Sequence, residues 1–175
     1  MNLDKLYKMQ KELDSYIIKN RNIVMSEEEL LDNTILALLV EIGELANTTR
    51  CFKHWSTKGM MEREVVLEEL ADVLHFYLSI GNQLKDRYLD IGMESGFVGL
   101  PLESSLTFEL LVLYSHAGRL GNECSLDGVD LGEIYQSIGD SICKVTSVLG
   151  FTNKEVEQAY LKKHEENYRR QKNGY

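Results

Sequence analysis

Apolar residues recur every three to four positions along most of this chain. That spacing places them on one face of an α-helix, whereas the two-residue alternation of a half-buried strand is hard to find. The first helix shows the pattern at Leu3, Leu6, Met9, Leu13, Tyr16 and Ile17. Pro101 is the only proline, so little in the sequence interrupts helices. The pattern therefore predicts an all-α protein.

Two further helices are predicted to follow, and both carry acidic residues among apolar ones. Ser26 begins the second helix, because Glu29 stands three residues later and the two side chains can form a capping box. Apolar residues occupy nearly every side of this helix, which indicates a central and buried position. The third helix is predicted over residues 61–80, with Gly81 marking its end.

The second half of the chain adds more helices and one irregular stretch. Residues 83–104 contain three glycines and Pro101, and they are interpreted as a short helical piece followed by a loop. Later helices are predicted over 106–120, 131–149 and 152–171. Thr152 is the expected N-cap of the last one. The expectation is a single domain over residues 1–175, folded as an all-α bundle of about five to seven helices.

Two pairs of carboxylates interrupt the apolar surfaces of the second and third helices. Glu41 and Glu44 stand three residues apart, and so do Glu69 and Asp72. Residues at this spacing project from one face of a helix, so each pair can point in one direction. Four such acids brought together would raise their own pKa values or bind cations, because buried unpaired charges are costly. The sequence therefore predicts a buried carboxylate cluster between the two helices.

The cluster has more than one interpretation. Oxygen ligands suit Mg²⁺, with Mn²⁺ as an alternative, and Mg²⁺ is usually bound together with substrate phosphates. The acids can also be ordinary surface residues. Asp72 and His75 resemble half of a di-iron motif, but the chain has no second acid three residues before a histidine. His75 can equally be a hydrogen-bonded core histidine.

Charge and composition narrow the possible partners. The formal net charge of −9 argues against general nucleic-acid binding. Residues 160–175 carry five cations and two anions, so this end is either a solvated helix end or a clamp for an anionic ligand. Lys53 and Trp55 lie in an aromatic segment after the second helix. That segment is either an aromatic plug or a contact for a phosphate and a base.

The cysteines and the apolar runs of the sequence indicate where in the cell the protein is expected. The three cysteines lack metal-ligand spacing, so we expect reduced thiols in a cytoplasmic protein. The longest apolar run, 35–40, is far shorter than the roughly 20 residues that span a bilayer. The first residues show no apolar region of a signal peptide. We expect a cytoplasmic protein that binds neither a membrane nor nucleic acid.

Several of these residues, in this order, resemble the motifs of the dimeric all-α dUTPases. That family belongs to a wider group of all-α nucleoside-triphosphate pyrophosphohydrolases. The matching runs are Met9-Gln10-x-x-Leu13-Asp14, Glu41-x-x-Glu44-x-x-Asn47, Phe52-Lys53-His54-Trp55-Ser56, Glu68-Glu69-Leu70-Ala71-Asp72-Val73-Leu74-His75-Phe76 and Lys163-x-x-x-Asn167-x-x-Arg170-Gln171. They spread across nearly the whole chain, and the stretch 83–104 matches no motif.

The resemblance implies a homodimeric hydrolase that converts dUTP, with dUDP as a further candidate substrate, to dUMP and pyrophosphate. It implies that the catalytic residues, which also bind Mg²⁺, are Glu41, Glu44, Glu69 and Asp72. The implied substrate-binding residues are Gln10, Lys53, Trp55, His75, Phe76, Lys163, Asn167 and Arg170. Among them the two amides contact uracil, Trp55 borders the base, His75 and Phe76 lie near the sugar, and the three cations bind phosphates.

Two alternatives remain open at this stage. A related pyrophosphohydrolase for another deoxynucleotide, such as dCTP, would carry the same carboxylates. A helical partner-binding dimer with a lapsed active site is a second possibility, and the presence of all four acids argues against it.

Overall fold

The computed structural model describes residues 1–87 and 104–174, and that part of the chain contains six α-helices and no strand. The helices are α1 (Leu3–Asn20), α2 (Glu27–Thr49), α3 (Arg63–Arg87), α4 (Leu106–Glu123), α5 (Leu131–Val148) and α6 (Asn153–Lys172). The prediction of an all-α bundle is confirmed. Across the described residues, no helix combines the length and apolar character needed to cross a bilayer.

The helices begin where their capping residues predict. The Ser26 side chain accepts a hydrogen bond from the backbone of Glu29, and the Glu29 carboxylate accepts one from the backbone of Ser26 at 2.9 Å. Thr152 and Glu155 form the same reciprocal pair at the start of α6. Such boxes satisfy backbone N–H groups that have no partner inside the helix. Both predicted N-caps are confirmed.

The central helix is α3, which packs against α1, α2, α5 and α6. The prediction that α2 is central and buried is wrong for its outer face. Its inner face is fully covered at Leu38 and Ile42, but Leu36 is 60% exposed and Val40 is 51% exposed. A nearly all-apolar helix can therefore leave apolar residues uncovered in the single chain, because α3 and α4 pack against only part of its surface.

The prediction that α3 ends at Gly81 is also wrong, because the helix continues to Arg87. Gly81 lies where Tyr135 from α5 crosses α3, and a Cβ atom added there would be 2.1 Å from the Tyr135 hydroxyl oxygen. Close approach of the two helices, and not a helix end, requires this glycine. The predicted short helical piece therefore begins as a continuation of α3, and residues 88–103 lie outside the described part of the chain.

Candidate active site

A cavity of about 450 Å³ lies between α1, α2, α3 and α6. It brings together ten of the side chains predicted from the sequence: Gln10, Glu41, Glu44, Glu69, Asp72, His75, Phe76, Lys163, Asn167 and Arg170. Lys53 and Trp55 are not among its lining residues. Acids occupy one wall, and the basic and amide groups of α6 occupy another.

Three carboxylates from two helices meet in this cavity. One oxygen from each of Glu41, Glu69 and Asp72 lies within 4.8 Å of the others. These side chains are half-buried and not fully buried as the sequence suggested. Glu44 lies outside this tight group but lines the same cavity. The three-residue spacing on α2 and α3 thus directs both acid pairs into one space.

The pKa values of Glu41, Glu69 and Asp72 rise because burial, and after it the negative charges nearby, disfavour their ionised forms. Burial, followed by the charges of Asp72, Glu44 and Glu69, raises the pKa of Glu41 to about 7. Burial also raises the pKa values of Glu69 and Asp72. Such a group lowers its repulsion by binding protons or a cation. Its oxygen donors fit a hard divalent ion such as Mg²⁺.

Lys163 supplies a positive charge to this group. Its Nζ atom lies 2.6 Å from Oδ2 of Asp72 and 3.2 Å from Oε1 of Glu68. Burial acts to lower the pKa of Lys163, but the hydrogen bonds and charges of Asp72 and Glu68 together outweigh it and raise the pKa. Glu68, which the sequence offers as a competing carboxylate, is 48% exposed and pairs with this lysine at the rim.

We expect the metal-free protein to lose stability as the pH rises from 5 to 8. The pKa of Glu41 is about 7 in the folded chain against an ordinary value of 4.5, so the folded chain binds more protons between these values. The cost of ionising Glu41 is absent below pH 4.5 and complete above pH 7. After a discount for solvent screening of this half-buried group, we expect about 1–2 kcal/mol.

Urea unfolding with a chelator at pH 5.5 and pH 8 measures this dependence. The Glu41→Gln variant should show a smaller difference between the two pH values than the unchanged protein. Some dependence should persist in the variant, because burial also raises the pKa of Asp14 to about 6. If the free energy of unfolding depended on pH equally in the two proteins, ionisation of Glu41 would cost no more in the folded chain than in the unfolded chain.

Gln10 is held at the inner end of the cavity by three neighbours, and it is only 4% exposed. Its Nε2 atom donates to Oδ1 of Asp14 at 2.8 Å, and its Oε1 atom accepts from the Tyr160 hydroxyl at 3.0 Å. Nδ1 of His75 lies 2.7 Å from the same Oε1 atom. His75 is thus a hydrogen-bonded core histidine that also lines the cavity.

Sequence reasoning assigned no role to Asp14 or Tyr160. Asp14 was visible only as part of a resembling motif, although it lies one helical turn from Gln10. Tyr160 comes from the opposite end of the chain, so no local pattern could have paired it with Gln10.

The basic end of the chain, interpreted from the sequence as either a solvated helix end or a clamp for an anionic ligand, is the last part of α6 and forms one wall of the cavity. Spacings of four and three residues place Lys163, Asn167 and Arg170 on one face of α6. Aromatic side chains of α6 also stack with rings of other helices, and neighbouring ring centroids lie 4.1 to 5.8 Å apart. The rings belong to His75, Tyr160, His164, Tyr168 and Tyr16. They attach α6 to α1 and α3.

Lys53 and Trp55 lie on a separate surface. The backbone reverses at Arg50, whose φ of 55° ends α2, and the following residues run across the surface. The Trp55 ring packs edge-on against Phe52 and His54, and Trp55 is 68% exposed. Lys53 Nζ lies 5.4 Å from the centroid of the Phe52 ring. Neither Lys53 nor Trp55 lines the cavity of its own chain, and their predicted contacts with substrate stay a prediction.

The sequence was also compared with known proteins. No curated protein matches this sequence. A family model described as dUTPase matches residues 2–175, which is nearly the full chain. That match agrees with the six-helix fold and with the order of the acidic and basic motifs around the cavity. The chain therefore belongs to the dUTPase family and is a dUTP diphosphatase.

Proposed function

We propose that this hydrolase acts as a single domain over residues 1–175 and converts dUTP to dUMP and pyrophosphate with bound Mg²⁺. The observation that carries the proposal is the group of acid oxygens from Glu41, Glu69 and Asp72 within 4.8 Å. Glu44 completes the proposed ligand set from the same cavity. Mn²⁺ is the second candidate, because it accepts the same oxygen ligands.

Different walls of the cavity have different roles in binding and hydrolysing a triphosphate. Mg²⁺, when bound, supplies positive charge to the phosphates and lowers the pKa of water. Glu41 is suited to orient the attacking water and accept its proton, because its carboxylate lies in the acid group across the cavity from the phosphate-binding side chains of α6. Lys163 and Arg170 face the acids and can bind phosphate oxygens through charge-assisted hydrogen bonds. Gln10 and Asn167 offer amides to the base.

We expect pyrophosphate release from dUTP to require Mg²⁺ or Mn²⁺. The test is a panel of dUTP, dCTP, dTTP and dUDP with the purified protein, with and without EDTA. Full activity in excess EDTA would exclude the proposed metal role. A preference for dCTP would favour the alternative pyrophosphohydrolase, and inactivity towards every nucleotide would favour a partner-binding dimer.

We also propose that two copies of the chain associate through the outer faces of α2 and α4. Leu36 and Val40 on α2, with Phe108 and Leu111 on α4, are all at least 51% exposed. Lys53 and Trp55 follow α2 directly. If a second copy binds to this face, Lys53 and Trp55 of one copy would lie close to the cavity of the other copy. The free thiols of the three cysteines further support a cytoplasmic location for this homodimer.

A charge placed on this face should separate the two copies. We expect Leu111→Glu to shift the protein from dimer to monomer in sedimentation or light scattering, because an interface excludes an unpaired charge. Leu126→Glu is the matched control, since Leu126 is also exposed, at 57%, but lies in the turn after α4. Equal association of both variants would place the interface elsewhere.

Mixed dimers test whether each copy completes the cavity of the other. Glu41→Gln inactivates the cavity of its own chain, whereas Trp55→Ala should impair the cavity of the partner. Mixing the two inactive variants should then restore part of the activity, because one cavity in the mixed dimer has both residues intact. Mixtures that stay inactive would show that Trp55 acts within its own chain.

A further inference from the structure

The three hydrogen bonds of Gln10 have only one consistent direction. The Asp14 carboxylate can only accept, so the amide nitrogen of Gln10 faces it, at 2.8 Å from Oδ1. Ionisation of Asp14 at neutral pH agrees with this, because its pKa is about 6. The amide oxygen of Gln10 then faces the Tyr160 hydroxyl at 3.0 Å and His75 Nδ1 at 2.7 Å. Both of these groups must donate.

This direction fixes the proton of His75. A neutral imidazole carries one hydrogen, and the bond to Gln10 places it on Nδ1. Burial keeps the ring neutral by lowering the pKa of His75 to about 3. Nε2 then has a free lone pair. The backbone of Tyr160 acts to raise this pKa against the larger effect of burial, but Nε2 has no hydrogen-bond partner within residues 1–87 and 104–174.

The cavity therefore contains one unpaired hydrogen-bond acceptor and one hydrogen-bond donor. His75 is 4% exposed, lines the cavity and carries an unpaired acceptor at Nε2. Gln10 also lines the cavity, and its amide nitrogen has two hydrogens, of which the bond to Asp14 uses one. A buried acceptor without a partner costs free energy, so a ligand that supplies a donor there gains affinity.

We propose that Asp14 and Tyr160 are positioning residues that lock the Gln10 amide, so that the cavity offers a base one donor from Gln10 and one acceptor from His75 Nε2. Uracil has an N3–H donor flanked by carbonyl acceptors, which matches this pair. Cytosine has an N3 acceptor beside an amino donor, which opposes it. The inference rests on the proposed function and extends it from the metal site to the choice of base. It moves His75 from the sugar to the base.

The energetic consequence is selectivity against dCTP. A site that hydrogen-bonds a substrate group can reject an analogue without that group by about 10⁴-fold or more, because its buried polar groups lose their partners. Rejection of cytosine requires that the donor and acceptor groups of the site cannot exchange places through a flip of the Gln10 amide. Tyr160 and Asp14 prevent reversal, since a flipped Gln10 would point its oxygen at the Asp14 carboxylate and its nitrogen towards the His75 donor.

The first experiment reads the His75 proton without any substrate. Nitrogen-15 NMR of the intact metal-free protein distinguishes the neutral Nδ1–H tautomer from the Nε2–H tautomer. We expect Nδ1–H in the unchanged protein and a detectable population of Nε2–H in Asp14→Asn, because an asparagine can donate or accept. A predominant Nε2–H tautomer in the unchanged protein would overturn the proposal.

The second experiment measures the ratio of kcat/KM for dUTP to that for dCTP. We expect Asp14→Asn to lower this ratio by at least about tenfold and Tyr160→Phe by about threefold to tenfold. Tyr7→Phe is the matched control, because Tyr7 is another buried tyrosine whose hydroxyl bonds to Tyr135 outside the cavity. Its ratio should not change.

The outcomes separate this inference from the proposed function. An unchanged protein that does not hydrolyse dUTP would defeat the proposed function, and the tautomer would still decide the orientation of Gln10. A protein that selects dUTP, with both variants keeping its full selectivity, would defeat only the inference. Circular dichroism identifies a variant that fails to fold. The kcat/KM ratio of the other variant then tests the inference.

Discussion

Replacing Glu41, Glu44, Glu69 or Asp72 by its amide is expected to lower kcat for dUTP by at least about 10²-fold. Each change removes one negative oxygen from the wall that faces the phosphate-binding groups of α6. An amide keeps the size of the side chain but binds a divalent cation far less well. The effect should appear mainly in kcat, because the phosphate and base contacts lie on other walls.

The three glutamate variants should not destabilise the metal-free fold, whereas Asp72→Asn also breaks the ion pair with Lys163. Burial raises the pKa values of Glu41 and Glu69, and the charges of neighbouring acids raise them further, so an amide at either position removes a cost of ionisation. Melting temperatures of the glutamate variants with a chelator should therefore stay equal or rise. Glu62→Gln is the control, because Glu62 is exposed just before α3 and should affect neither property. Near-normal rates in two of the four variants would refute the assignment.

Gly81→Ala is expected to lower the free energy of unfolding by about 1–3 kcal/mol. The added methyl group would lie 2.1 Å from the Tyr135 hydroxyl oxygen and 2.8 Å from a ring carbon of Tyr7. Tyr135 cannot move away without losing contacts. Its ring stacks on Tyr77 with centroids 4.4 Å apart, and its hydroxyl donates to the Tyr77 backbone at 2.9 Å. The helices must separate or the stack must break.

Urea denaturation measures this loss, and Gly118→Ala is the matched control. Gly118 is also inside a helix, α4, but a Cβ atom there would meet nothing within 4 Å. Alanine should stabilise that position by about 0.5–1 kcal/mol through its higher helix propensity. Equal stability of the two variants would mean that α3 and α5 can move apart at little cost.

Local patterns predicted the parts of the fold that local physics decides. The starts of α2 and α6 follow from Ser26 and Thr152, because a cap and its partner lie within one helical turn. The acid pairs follow from the three-residue spacing. The resemblance then indicated residues of α1 and α6 that the structure places around the same cavity as these acids.

Contacts between distant parts of the chain could not be predicted in the same way. Gly81 has the local features of a helix end, and only Tyr135 on another helix explains why the helix continues. Tyr160 bonds to Gln10 across 150 residues. The exposure of Leu36 also depends on which helices surround α2 and not on its sequence. These features depend on packing, for which a single sequence provides no local signal.

Trp55 gives this protein an intrinsic optical reporter. It is the only tryptophan in the chain, it is 68% exposed, and it lies next to the α2 surface through which we expect two copies to associate. Its indole ring emits at longer wavelength in water than in an apolar contact, so dissociation should shift its fluorescence without any attached dye. One spectrum can therefore follow assembly during titration with nucleotide, and each shift reports a single known position.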